Sequence, residues 1–185
     1  MVTTISRATC FSQEAGTELD YMSLGAGARP AGLGDAFSSL ADDANAVYWN
    51  PAGLVQVKSP EVTWMHSDMN FGTAFDYVSA GTPLVIPGLK GREAKTKNYV
   101  GFGWIRTSAG DILITGIATD TIPGTNYNRV AIQGLAGFLS NAYMAAYARE
   151  VTGHISAGFT VKYYDIQVAS HWARGFGMDA GLLLR

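Results

Sequence analysis

The sequence predicts an all-β chain whose strands form the wall of an antiparallel up-and-down transmembrane β-barrel, preceded by a short segment containing one small helix. Three observations predict it. Apolar side chains alternate with polar or small ones in several runs after Glu61, and that period of two puts every second residue on one face of a strand. Twenty-two glycines accompany nine tyrosines, eight phenylalanines and four tryptophans, a composition suited to walls in which small inward residues alternate with large outward ones. The cleanest runs are close to the ~9–11 residues that a tilted strand needs to cross a bilayer.

Residues 1–23 read as a poorly ordered lead-in, polar and Thr/Ser-rich at its start. Residues 24–58 form a distinct segment. Within it, Gly34 to Ala41 can make two helical turns, with Leu33, Phe37, Leu40 and Ala41 on one face. Asp42, Asp43 and Asn45 break that pattern, because their side chains prefer to hydrogen-bond local backbone. Val47-Tyr48-Trp49 then reads as extended chain, and Asn50-Pro51 closes the segment in a turn, since Pro51 disfavours the helical conformation at Asn50. The segment is too short and Gly-rich to bury its own apolar groups, so it must plug into something larger.

Residues 59–185 supply the strands. Glu61–Asp68 is a strand on the β-propensity of Val62, Thr63 and Trp64. In Phe71–Gly81, Phe75 and Tyr77 oppose Asp76; in Asn98–Arg106, Val100, Phe102 and Trp104 alternate with Tyr99, Gly101 and Gly103. Asn141–Arg149 follows, then His154–Asp165 and Arg174–Leu184, whose alternation is the most regular. Thr82–Lys97 and Ser108–Arg129 have loop composition. Val130–Ala148 carries no charge and approaches the ~20 residues of a membrane helix, but Gln133, Ser140, Asn141 and two glycines lower its apolarity. Val130–Leu139 stays open between strand and lid helix.

If hydrocarbon meets the face bearing Phe159 and Val161, then His154, Thr160, Lys162, Tyr164 and Asp179 line a polar interior. Lys162 and Asp179 then lie on neighbouring strands, either wet or paired with Asp42 and Asp43. Six strands are fewer than the ~8 of the smallest single-chain barrels, and an open edge in lipid leaves backbone groups unpaired. The chain is therefore expected to be the N-terminal part of a longer barrel or to assemble with other copies.

The run LGAGARPAGLGDAFSSLADDANAVYWNPAGL, Leu24 to Leu54, resembles the N-terminal signature of the PorV family of bacterial outer-membrane proteins, related to the FadL-like long-chain fatty-acid transporter barrels. The matching residues are Ala41-Asp42-Asp43 and Trp49-Asn50-Pro51-Ala52-Gly53. Tyr147-Ala148-Arg149 and Gly175 to Leu182 resemble two strands of the same family. The resemblance implies that residues 24–58 are a hatch filling the barrel mouth, with Asp42, Asp43, Trp49, Asn50, Pro51 and Gly53 as its motif. It also implies an outer-membrane location, and either passage or binding of hydrophobic small molecules or a part in type IX secretion alongside secretion-system proteins. The rival reading is a soluble or periplasmic β-rich structural module that self-associates through strand edges.

Other functions find little support. The net charge is −2, and the one basic cluster, Lys90 to Lys97, has no aromatic inside it and reads as a solvated loop rather than a nucleic-acid surface. Gly25, Gly27, Gly32 and Gly34 have the wrong spacing for a phosphate loop and no Lys-Ser/Thr follows. Cys10 is the single cysteine, which excludes an internal disulfide, and Ser6-Arg7-Ala8-Thr9 before it lacks the apolar run of a lipoprotein signal. Met1 to Ser12 likewise lacks a secretory apolar core. His66, His154 and His171 are far apart, and His66 with Asp68 reads as a surface pair rather than a metal site. No nucleophile elbow or catalytic grouping is present, so neither an enzyme nor a cofactor is expected.

Overall fold

The computed structural model describes residues 20–69, 72–84, 98–117 and 130–185. Most of the expected lead-in, the basic cluster and Cys10 lie outside them. Six strands form one antiparallel sheet in sequence order: β1 (Glu61–Met69), β2 (Thr73–Pro83), β3 (Asn98–Ile117), β4 (Val130–Glu150), β5 (Ile155–Val168) and β6 (His171–Leu184). Each pairs only with its sequence neighbours, so β1 and β6 each keep one free edge among the described residues. The all-β, antiparallel expectation therefore holds, as do all six predicted strands.

Two expectations about the strands need correction. Ser108 to Ile117 has loop composition but continues β3, because it forms a ladder with Val130–Phe138. That pairing contains two register shifts, which break the simple alternation that sequence can reveal. The same ladder settles Val130–Leu139 as strand. Beyond Thr73↔Ala109 and Phe138↔Val168 neither β2 nor β5 follows, so β3 and β4 run on as a two-stranded ribbon.

Ahead of β1, the chain folds onto one face of the sheet. It begins with a 3₁₀ turn at Asp20–Leu24, then has α1 (Ala28–Gly32), α2 (Ala46–Trp49) and a second 3₁₀ turn at Pro51–Gln56. The helix expected over Gly34–Ala41 is instead a run of turns. Gly34 and Asp35 both have φ of 62°, a left-handed conformation that an α-helix cannot continue through. As a result only Phe37 and Ala41 of the expected apolar stripe are buried, while Leu33 and Leu40 face outward. Val47-Tyr48-Trp49 is also corrected, from extended to helical. Asp43 Oδ1 accepts the Asn45 backbone N–H at 2.8 Å, an Asx turn that starts α2, and Asn50 N–H bonds back to Ala46 O at 3.0 Å. The turn at Asn50-Pro51 is as expected, with Asn50 extended at φ −161°, ψ 101°.

The core lies between this N-terminal segment and the sheet. Val47, Leu54 and Val57 meet the inner side chains of the wall, including Tyr77, Ile105 and Met144. In β2 inner positions alternate with outer ones: Phe75, Tyr77, Ser79 and Gly81 are buried and their neighbours are less so.

Candidate functional site: a seated plug and an apolar outer face

The Trp49-Asn50-Pro51-Ala52-Gly53 motif is where the N-terminal segment locks onto the wall. Asn50 is its hub. Its amide nitrogen donates to Ser38 O at 2.9 Å and to Leu182 O of β6 at 3.3 Å, while its Oδ1 caps the following turn by accepting from Ala52 N–H at 3.2 Å. Pro51 rests on Gly158 and Gly181, which are register partners across β5 and β6. A Cβ at Gly158 would lie 2.5 Å from the Pro51 carbonyl carbon and 2.6 Å from Ala52 N. Gly53 needs its bare Cα for a similar reason, because the Ala41 carbonyl occupies the space where a side chain would go. The motif thus depends on close backbone approach, for which glycine is the suited residue.

Trp49 ties the segment to itself rather than to the wall. Its Nε1 donates to Ala26 O at 2.8 Å, and its ring packs edge-on against Phe37 and Tyr48. The residues just before it, Val47 and Tyr48, meet the wall. Val47 O accepts from Thr160 Oγ1 at 3.1 Å, and Tyr48 meets Tyr77 edge-on while donating its hydroxyl to Met22 O. Burial, and after it the charges of Asp35 and Asp179, push the Tyr48 phenol up to about 12, so it stays a donor.

Asp42 and Asp43 do not reach Lys162. Both are held by Arg29, a residue sequence reasoning passed over, with Nη1 at 2.6 Å from Asp42 Oδ1 and 2.7 Å from Asp43 Oδ2. The hydrogen bond and charge of Arg29 keep the Asp42 carboxyl below the ordinary carboxylate range. Asp43 is buried and also accepts from Asn45 Nδ2 at 2.9 Å, and Asn45 Oδ1 in turn accepts from Thr63 Oγ1 of β1 at 3.1 Å. The only sequence signal for Arg29 was a lone cation near two adjacent acids in a segment with little other charge.

Of the interior candidates, four share the inner face and one does not. Thr160 and Lys162 are buried on β5, Tyr164 is half-buried at the edge of the core, and Asp179 is the register partner of Thr160. Lys162 Nζ is 2.5 Å from Asp179 Oδ2 and lies 5.2 Å from the centre of the Tyr48 ring, so the pair joins plug to wall. His154 stands apart, in the exposed turn before β5.

The outer face is banded. One register row crosses all six strands as His66, Asp76, Arg106, Asn141, Asp165 and Arg174. Opposite charges pair within it: His66 Nδ1 is 2.6 Å from Asp76 Oδ1, with Asp68 at 3.3 Å from Nε2, and Arg174 Nε donates to Asp165 at 3.0 Å. The next row is Trp64, Val78, Trp104, Tyr143, Tyr163 and Phe176, nearly all aromatic. Trp104 Nε1 points back to the polar row, donating to Asn141 at 3.3 Å. Below these come apolar rows through Val62, Phe102, Val161 and Met178. At the far border the Tyr147 hydroxyl donates to Asn98 Oδ1 at 2.7 Å, in the row that also holds Arg149. The exposed apolar side chains are large: Phe176 is 79%, Met178 76% and Leu182 70% exposed.

Scans of protein-family models, curated proteins and solved structures found no match to this chain.

Proposed function

We propose that the chain is part of an outer-membrane β-barrel of the PorV/FadL type, with its outer face in lipid and residues 24–58 as a seated hatch. The supporting observation is the banded outer face: water would strand Phe176, Met178 and Leu182, whereas hydrocarbon takes them at no cost. The dimensions are compatible. Arg106 and Asn98 are eight residues apart, about 26 Å along the strand, which at a tilt of ~35–45° spans about 20 Å of bilayer. On β6 the apolar run from Phe176 to Leu184 extends the band toward the ~25 Å of known barrels.

Within this reading the role is to bind or pass hydrophobic small molecules or to serve as a component of type IX secretion. The many fixed contacts of the hatch favour a binding component over an open pore. Membrane fractionation tests the reading: the chain should stay with the outer membrane and require detergent for extraction. A chain that is monodisperse in buffer without detergent points instead to a soluble module assembling through edges, a reading favoured by the free edges of β1 and β6.

A further inference from the structure

The apolar band of the outer face is not smooth. In the row Val62, Ala80, Phe102, a methyl group sits between an isopropyl group and a phenyl ring, and the next row continues through Thr82 and Val100. A groove of about 350 Å³ results, within the ~300–1,000 Å³ of ligand sites, and Pro60 at the start of β1 also lines it. We propose that this groove seats one acyl chain of a membrane phospholipid.

The chemistry of the groove selects that occupant. Its outward side chains are hydrocarbon apart from the Thr82 hydroxyl, which already donates to Pro83 O at 3.3 Å; Glu61 shares a register row with the inward Gly81, so its carboxylate lies on the other face of the sheet, towards Asp43 and Arg29. A free fatty acid lying wholly in the groove would bring its own carboxylate among outward side chains that include no cation. A phospholipid tail brings only methylenes, each worth about 0.8 kcal/mol when buried. Its phosphate is carried elsewhere, and the polar row offers a cation for it. Arg106 is four residues from Phe102 on the same face of β3, about 13 Å along the strand. Trp64 and Trp104 stand in the aromatic row between, one on each side of the path a tail would follow.

The inference rests on the lipid-facing reading of the sheet, and the test separates the two. Two single-tryptophan proteins, one keeping Trp104 and one keeping Trp172, are held in neutral alkyl-maltoside micelles containing a small fraction of phospholipid brominated on its acyl chains. Bromine should quench Trp104 more than its bulk fraction in the micelle allows, and Ala80→Leu, which fills the groove from outside the core, should bring Trp104 quenching down to the bulk level. Ala80→Met serves as a second filling variant. Trp172 quenching should be unchanged by either, and a brominated free fatty acid should not reproduce the excess. Quenching of Trp104 at the bulk level in the unsubstituted protein, or unaffected by both variants, overturns the groove while leaving the lipid-facing sheet standing. Excess quenching by the free fatty acid overturns the choice of occupant. No quenching of Trp104 overturns both readings.

Discussion

Gly158 and Gly181 face each other across β5 and β6, and together they form the flat seat on which Asn50-Pro51 rests. The contact is backbone against backbone at Gly158 and backbone against the Asn50 amide at Gly181. Neither partner can retreat: Pro51 is buried in its turn, and Asn50 is held by Ser38, Leu182 and Ala52.

Gly158→Ala is therefore expected to unseat the N-terminal segment, because its methyl would meet the Pro51 carbonyl carbon and Ala52 N rather than a yielding side chain. Overpacking of this kind costs about 1–3 kcal/mol. Gly153→Ala, in open space in the turn before β5, is the control. Limited proteolysis of the N-terminal segment checks both; equal protease resistance in the two variants speaks against the seat.

This seat was half legible in the sequence. The Gly-rich inner faces of β5 and β6 were visible as alternation, and Asn50-Pro51 announced a turn. Their meeting was not visible, because it joins residues more than a hundred positions apart through a surface that has no side chain to read. The same distinction runs through the fold. The six strands were recoverable because alternation is a local signal. The two-turn helix at Gly34–Ala41 misled because the apolar spacing of Leu33, Phe37, Leu40 and Ala41 outweighed a local stop signal: Gly34 and Asp35 turn left-handed as their N–H groups bond back to Ala31 O and Pro30 O and end α1. Arg29 escaped notice because its worth comes from two carboxylates that reach it only after the segment has folded.

Arg29 gives the N-terminal segment a dependence on pH. The Asp42 carboxyl is held below its unfolded value, so its contribution is fully present above that value, near pH 4, and is lost as pH falls through the lower folded value. Acid below pH 4 should loosen the hatch, and Arg29→Ala should flatten that dependence. The pair with Asp42 is partly exposed and contributes about 1 kcal/mol at most, while buried Asp43 suffers more from losing its cation. Thermal unfolding followed between pH 3 and pH 7 checks this; parallel curves for the two proteins would contradict it.

Lys162 and Asp179 are unequal partners. The Lys162 side chain is 11% exposed and that of Asp179 41%. Asp179→Asn leaves a buried ammonium with, among the described residues, the Tyr48 ring for company, whereas Lys162→Met leaves a carboxylate that water can reach. Both should increase protease access near Asp43, and Asp179→Asn should destabilise by about 2 kcal/mol, more than Lys162→Met does. Denaturant midpoints give the order, and the reverse order would argue that the pair does not fasten the plug.

Met178→Lys probes the outer face. In a bilayer this change at mid-depth costs about 2–4 kcal/mol, whereas on a solvated surface it stays within ~0.5 kcal/mol. Assembly yield in outer membrane should fall sharply for Met178→Lys and much less for a lysine placed at Gln167, beyond the polar row. Equal yields would remove the case for lipid at Met178.

The most direct measurement is spin-label accessibility along β6, with labels placed one at a time from Phe176 to Leu182 in protein reconstituted into vesicles. Labels at Phe176, Met178, Ala180 and Leu182 should be open to oxygen and closed to a water-soluble nickel chelate, alternating with labels at Gly177 and Asp179 that are closed to both or open to the chelate. Free access of the chelate to Phe176, Met178, Ala180 and Leu182 would contradict a lipid-facing sheet.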